Sequence, residues 1–195
     1  MARQRVRINH PLFERLRQLD QEVARQFPDA MFPGVWTVGL RLDEKPDASR
    51  YTHHTPLNCR TFASTGGDGV HFSFLVRDGL VREESPVVLT VPCAAANLVV
   101  GENLFDFLSL GSRRGYFGLE QLAYAPKVAE EVYTNPDWQP SDRWHKSVGF
   151  VTDEAERGVL ELLTSEFGLR PWPSPTRFAI LQERYAESLE LPAEA

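Results

Sequence analysis

Between Phe62 and Leu75 the chain reads F-A-S-T-G-G-D-G-V-H-F-S-F-L. Two β-prone runs flank a turn of Thr65-Gly66-Gly67-Asp68-Gly69. On the second run Val70, Phe72 and Phe74 alternate with His71, Ser73 and Leu75. Glycine takes positive φ without a Cβ clash, so a turn this rich in glycine lets the backbone reverse tightly. A reversal this short can only pair its strands antiparallel, because a parallel pair needs a long crossover.

The rest of the sheet follows from that turn. Cys59–Ser64, Val70–Val76 and Val87–Val91 are rich in β-branched and aromatic residues, with a second turn at Asp78-Gly79 and room for a short strand at Leu80–Arg82. The prediction is a central antiparallel β-meander. A further strand is expected at Val35–Leu42, followed by a polar loop over Asp43–Pro56.

On either side the apolar period changes from two to three or four. Leu12, Phe13, Leu16, Leu19, Val23 and Phe27 mark an N-terminal helix over 10–27, with Asn9 as N-cap, Pro11 in the first turn and Pro28 after the end. Asn103–Leu110 predicts a helix stopped by Gly111. Tyr116–Tyr124 and Pro126–Tyr133 read as one helix or a broken pair, and 134–150 as a loop containing Pro and Trp. Asp153–Phe167 is predicted helical, with Asp153 and Glu156 as a capping-box pair, and Ser174-Pro175 starts a last helix running to Leu189. The order of elements gives an α+β fold in a single domain, with a core over 1–133 and a helical C-terminal extension over 134–195 packed on it.

Composition narrows the function. The chain has 195 residues, 42% of them hydrophobic, and a net charge of −6. That charge argues against general nucleic-acid binding, which needs a basic face for phosphates. Residues 1–27 hold six Arg against three acids, whereas 152–195 hold nine acids against four Arg. Two cysteines, Cys59 and Cys93, form no disulfide framework, and both are read as small reduced hydrophobes in strand-like surroundings. No apolar signal segment follows the basic N-terminus, and the apolar run Val87–Val100 is too interrupted to span a bilayer. A cytoplasmic protein is expected.

Motifs that carry chemistry are few. The Gly-Gly-Asp-Gly turn lacks the Gly-Lys-Ser/Thr ending of a phosphate loop and precedes a strand instead of a helix, so Asp68 reads as a turn residue. His53-His54 are poor joint ligands on extended backbone, and no spacing typical of zinc occurs, so neither metal nor cofactor is expected. His71 with Cys59 or Cys93 would make a hydrolase dyad only if the fold brought them within hydrogen-bond reach. Asp68, His71 and Arg113 around a cleft would suit a small-molecule or anion-binding regulator. Gly111-Ser112-Arg113-Arg114-Gly115 reads as a helix-ending loop with solvated arginines, and Tyr133, Trp138 and Trp144 as aromatics covering the edge of the core.

The run Phe62–Leu75, then P-V-V-L-T-V-P at Pro86–Pro92, then L-F-D-F-L at Leu104–Leu108, together resemble the SUKH superfamily. That superfamily includes fungal cell-wall-assembly regulators and bacterial toxin-immunity proteins. The amphipathic helix ahead of the sheet agrees with it. The resemblance implies a non-enzymatic protein-binding domain that neutralises a toxin domain by docking on it. An acidic chain would suit a basic toxin or nuclease domain as partner. No contact residue transfers from a family motif. The expected contacts are the exposed acids near the sheet: Asp43, Glu44, Asp68, Glu83 and Glu84.

Overall fold

The computed structural model describes residues 7–8, 10–44, 52–138 and 154–193. The fold is α+β, with an N-terminal helix, a central antiparallel sheet and a helical C-terminal region. The strands are β1 (Arg7–Ile8), β2 (Arg41–Leu42), β3 (Cys59–Ser64), β4 (His71–Leu75), β5 (Leu80–Val81), β6 (Val87–Val91) and β7 (Ala96–Gly101). The helices are α1 (Pro11–Gln26), α2 (Leu104–Gly111), α3 (Gln121–Tyr124), α4 (Pro126–Thr134), α5 (Glu154–Phe167) and α6 (Thr176–Tyr185).

The sheet has five strands in the order β2-β3-β4-β6-β7, all neighbours antiparallel. Three features depart from the sequence reading. Val35–Leu42 is not a strand: Gly34–Val38 is a 3-10 turn, and only Arg41–Leu42 pairs with β3. Gly34 (φ 62°) and Gly39 (φ 93°) bracket that turn, and the Asp20 carboxylate accepts the Val35 N–H at 2.8 Å, which holds the backbone off the extended path. The apolar run Val87–Val100 is a hairpin, because Pro92 breaks it and Ala95 at φ 48° turns it back into β7. A separate two-stranded parallel pair joins β1 to β5, so the short strand near Leu80 lies outside the meander.

The helix ends show the same kind of adjustment. The N-cap of α1 is His10, whose Nδ1 accepts the Phe13 N–H at 3.4 Å, while Asn9 lies outside the described residues. Asp153 and Trp144 lie outside them too, so the proposed capping box has no structural account. Tyr116–Tyr133 is a broken series: a 3-10 turn at Phe117–Glu120, then α3, then α4 started by Pro126. The last helix stops at Tyr185, ahead of the expected Leu189, and a 3-10 turn follows it.

β4 is central and buried on both faces. One face is aromatic. Phe62 and Phe74 stack with centroids 4.3 Å apart, Phe13 of α1 meets both edge-on at 5.7 Å, and Phe72 lies 4.8 Å from Phe107 of α2. The other face mixes polar groups with Cys59, Leu75 and Val88, and Thr55 and His54 of the 52–58 segment bond to its His71 and Asn97. On it Thr61 bonds Ser73 (3.1 Å), Thr55 bonds His71 (2.9 Å), and the Thr90 hydroxyl donates to Asn97 (2.7 Å). The segment after α6 straps 52–58 down: the Leu57 N–H donates to the Glu190 carbonyl at 2.7 Å and the Asn58 amide to the Ser188 carbonyl at 2.8 Å.

α6 closes the β7 edge. The Gln182 side chain accepts the Val99 N–H at 3.0 Å and donates to the Val99 carbonyl at 2.7 Å, as a paired strand would. Arg177 bonds Asp106 at 2.8 Å and the Trp172 indole donates to the Asp106 carbonyl at 3.0 Å, tying the start of α6 to α2. No helix among the described residues is long and apolar enough to cross a membrane.

Candidate functional site

The glycine turn is closed by two backbone bonds, Thr65 N–H to Val70 O and Val70 N–H to Gly67 O, both 3.1 Å. Gly66 (φ 91°), Asp68 (φ 49°) and Gly69 (φ 71°) are left-handed, which suits glycine and which aspartate tolerates. Gly66 has a second reason to be glycine: a Cβ there would lie 2.7 Å from the Trp36 ring. Trp36 rests against the turn and donates its indole N–H to the Thr65 carbonyl at 3.0 Å. Phe32 stacks on the same ring at 4.5 Å, and the Arg41 guanidinium lies 4.9 Å from its centroid. Phe117 follows at 6.0 Å from Phe32, and the neighbouring Met31 is 86% exposed.

An acidic rim continues this shelf. Glu120 stands at the end of the 3-10 turn that Phe117 begins. Burial, and then the nearby charge of Asp68, raise its carboxyl above the usual range, while a bond from Gln121 opposes the shift. Tyr124, about half exposed, lies within electrostatic reach of Cys93, Glu120 and Asp68. Cys93 itself is exposed in the turn between β6 and β7, so it does not occupy the strand-like apolar setting read from the sequence.

The five nominated acids fall into three places. Asp68 is on the glycine turn. Asp43 and Glu44 follow β2 and line a cleft of about 380 Å³ with Arg41, Leu42, Thr61, Ala63 and Ser64. Glu83 and Glu84 precede β6, next to the far end of β4, since Val87 pairs with Phe74 while Thr90 pairs with His71. The length of β4, roughly 13 Å, separates them from Asp68.

The Cys59–His71 dyad is not assembled. Cys59 pairs with Leu75 and His71 with Ser64, so this cysteine and histidine sit at opposite ends of the β3–β4 ladder, again roughly 13 Å apart. Burial pushes the Cys59 thiol up to about 12, the reverse of an activated thiolate. His71 has no exposed surface. A carbonyl can only accept, so Nδ1–H donates to the Gly69 carbonyl (2.7 Å) and Nε2 accepts from Thr55 (2.9 Å). Burial lowers its pKa to about 4, partly offset by the Gly69 bond, and the ring is neutral at pH 7.

His53 and His54 are closer than extended backbone would allow, with ring centroids 4.0 Å apart, because 52–55 is a turn. No group of three or more metal-ligating side chains occurs among the described residues. Arg113 lines a separate cleft of about 380 Å³ with Ser112, Arg157, Leu160, Glu161, Thr164 and Ser165, in which Asp68 and His71 take no part. Tyr133 is buried in the core and Trp138 is half-buried under Arg114.

The sequence reading did not single out Met31, Phe32, Trp36, Phe117, Glu120 or Tyr124. The available signal was Phe32-Pro33-Gly34-Val35-Trp36, two large aromatics bracketing Pro-Gly in a stretch with neither helical nor strand period. Among known proteins, no family model matches the chain, and no curated protein and no solved structure is significantly similar to it.

Proposed function

We propose that the chain is a SUKH-like protein-binding domain of the immunity type, without enzymatic activity of its own, which neutralises a basic toxin domain inside the producing cell. The observation that carries this reading is the face around the glycine turn, where exposed methionine and part-exposed aromatics adjoin Asp68 and Glu120. Aromatic residues, methionine and arginine are the types that protein interfaces favour. The motif order from Phe62 to Leu108 supports the kinship.

The test is co-expression with each toxin candidate encoded beside this gene. A stable complex and restored growth are expected with one of them. Absence of both complex and rescue for every candidate overturns the reading.

A second reading, a regulator that binds a small anion, is favoured by the Arg113 cleft, which combines two arginines with the hydroxyl residues Ser112, Thr164 and Ser165. A thermal-shift screen with nucleotides and sugar phosphates tests it. No shift at millimolar ligand removes it.

A further inference from the structure

We propose that Met31, Phe32, Trp36 and Phe117 form one docking face with the Asp68–Glu120 pair. Its occupant is a partner segment in which arginine or lysine side chains alternate with apolar ones. The inference rests on the protein-binding reading above and names its surface and the chemistry of its partner.

The apolar half is contiguous and already ordered. Phe32 touches both Trp36 and Phe117, whereas other exposed apolar residues such as Leu80 and Ile180 stand on separate elements. Trp36 is fixed by Thr65, by the bare Gly66 and by Phe32, so a partner meets a ring that loses little freedom on binding. Arg41 already lies against the same ring, so the face offers a partner's cation the acids, and its apolar side chains the shelf.

Charge chooses the occupant. The ion pairs of the described molecule lie elsewhere: Arg15 with Glu22 and Glu166, Arg82 with Asp78, and Arg177 and Arg184 with Glu102 and Asp106. Asp68 is near enough for its charge to raise the Glu120 carboxyl, neither acid has a basic partner among the described residues, and Glu120 is half-buried. A cation arriving between them relieves their repulsion and compensates the desolvated carboxylate. An aliphatic stem on that cation would cover the shelf while its head meets the acids. Glu83 and Glu84, at the other end of β4, fall outside the face.

The test uses fluorescence anisotropy with an arginine–leucine peptide and a glutamate–leucine counterpart. The first should bind and the second should not. Asp68→Asn with Glu120→Gln keeps the left-handed turn accessible and should weaken binding about tenfold. Met31→Ser, at an exposed position with no folding role, should weaken it severalfold. Glu83→Lys with Glu84→Lys changes net charge twice as much as the neutralising pair, yet should weaken binding less. No binding, binding indifferent to the Asp68/Glu120 pair, or larger loss from the far-end reversal would overturn the proposal. Formation of the toxin complex in any of those cases leaves the immunity reading standing with a different contact surface.

Discussion

On one face of β4, Phe72 and Phe74 pack among Phe13, Phe62 and Phe107; on the other, His71 and Ser73 sit among Thr55, Thr61 and Thr90. Both faces are buried, but different forces hold them. The aromatic face gains from every square ångström removed from water and from its edge-on and stacked ring pairs. The polar face gains little net energy, because its hydroxyls and imidazole exchange water for protein partners. Each of those partners must be in place, since a buried group left unpaired is costly. The aromatic face supplies stability, and the polar face fixes how the 52–58 segment seats on the sheet.

Four measurements would break or sharpen this contrast. Phe74→Ala removes a fully buried ring that touches Phe13 and Phe62, and should cost about 3–5 kcal/mol in denaturant unfolding. A loss below that of polar-face substitutions would invert the comparison.

Acid should act on His71 and on the N-cap His10, both lowered to about 4, chiefly by burial. Below the unfolded value of 6.5 the unfolded chain binds more protons than the native one, so stability is complete above that pH and falls as pH drops toward 4. Each imidazole contributes a slope of about 1.4 kcal/mol per pH unit across that window. His71→Gln should remove one of the two contributions. An unchanged slope between about pH 6 and 4.5, inside the window from 6.5 down to about 4, read by urea unfolding at stepped pH, would deny the polar face its role.

Asn97→Ala strips partners from the Thr90 hydroxyl and the His54 carbonyl, and should cost on the order of 1–2 kcal/mol. The smallest effect comes from Thr61→Val, which strands the Ser73 hydroxyl for about 1 kcal/mol. Adding Ser73→Ala should recover most of that loss, because both partners are then apolar. A double mutant no better than the single one would mean that the pair holds the register by more than mutual satisfaction.

The aromatic face was legible from the alternation of Val70, Phe72 and Phe74, and the α+β order from the change of period around it. The polar face was not. Alternation with His71 and Ser73 ordinarily marks a solvated side, and nothing local announces that 52–58, strapped down near Glu190, will bond to it. β7 escaped because a single Pro92 inside an apolar run is a weak sign of a hairpin, and the left-handed residue that turns it is Ala95 instead of glycine. The docking face was hidden for a related reason. Its residues come from three stretches far apart in sequence, and only the fold lays Trp36 against Gly66 and brings Glu120 beside Asp68. Asp68 was nominated from its turn; its neighbours could not be.

The Gln182 amide on Val99 has a consequence for self-association. A sheet polymerises when every copy offers two free borders, one to receive a neighbour and one to be received. Here the Val99 position of the β7 border is already met by a side chain of the same molecule. A strand adding at β7 would first have to displace this amide from Val99, which makes that border a poorer template for sheet growth.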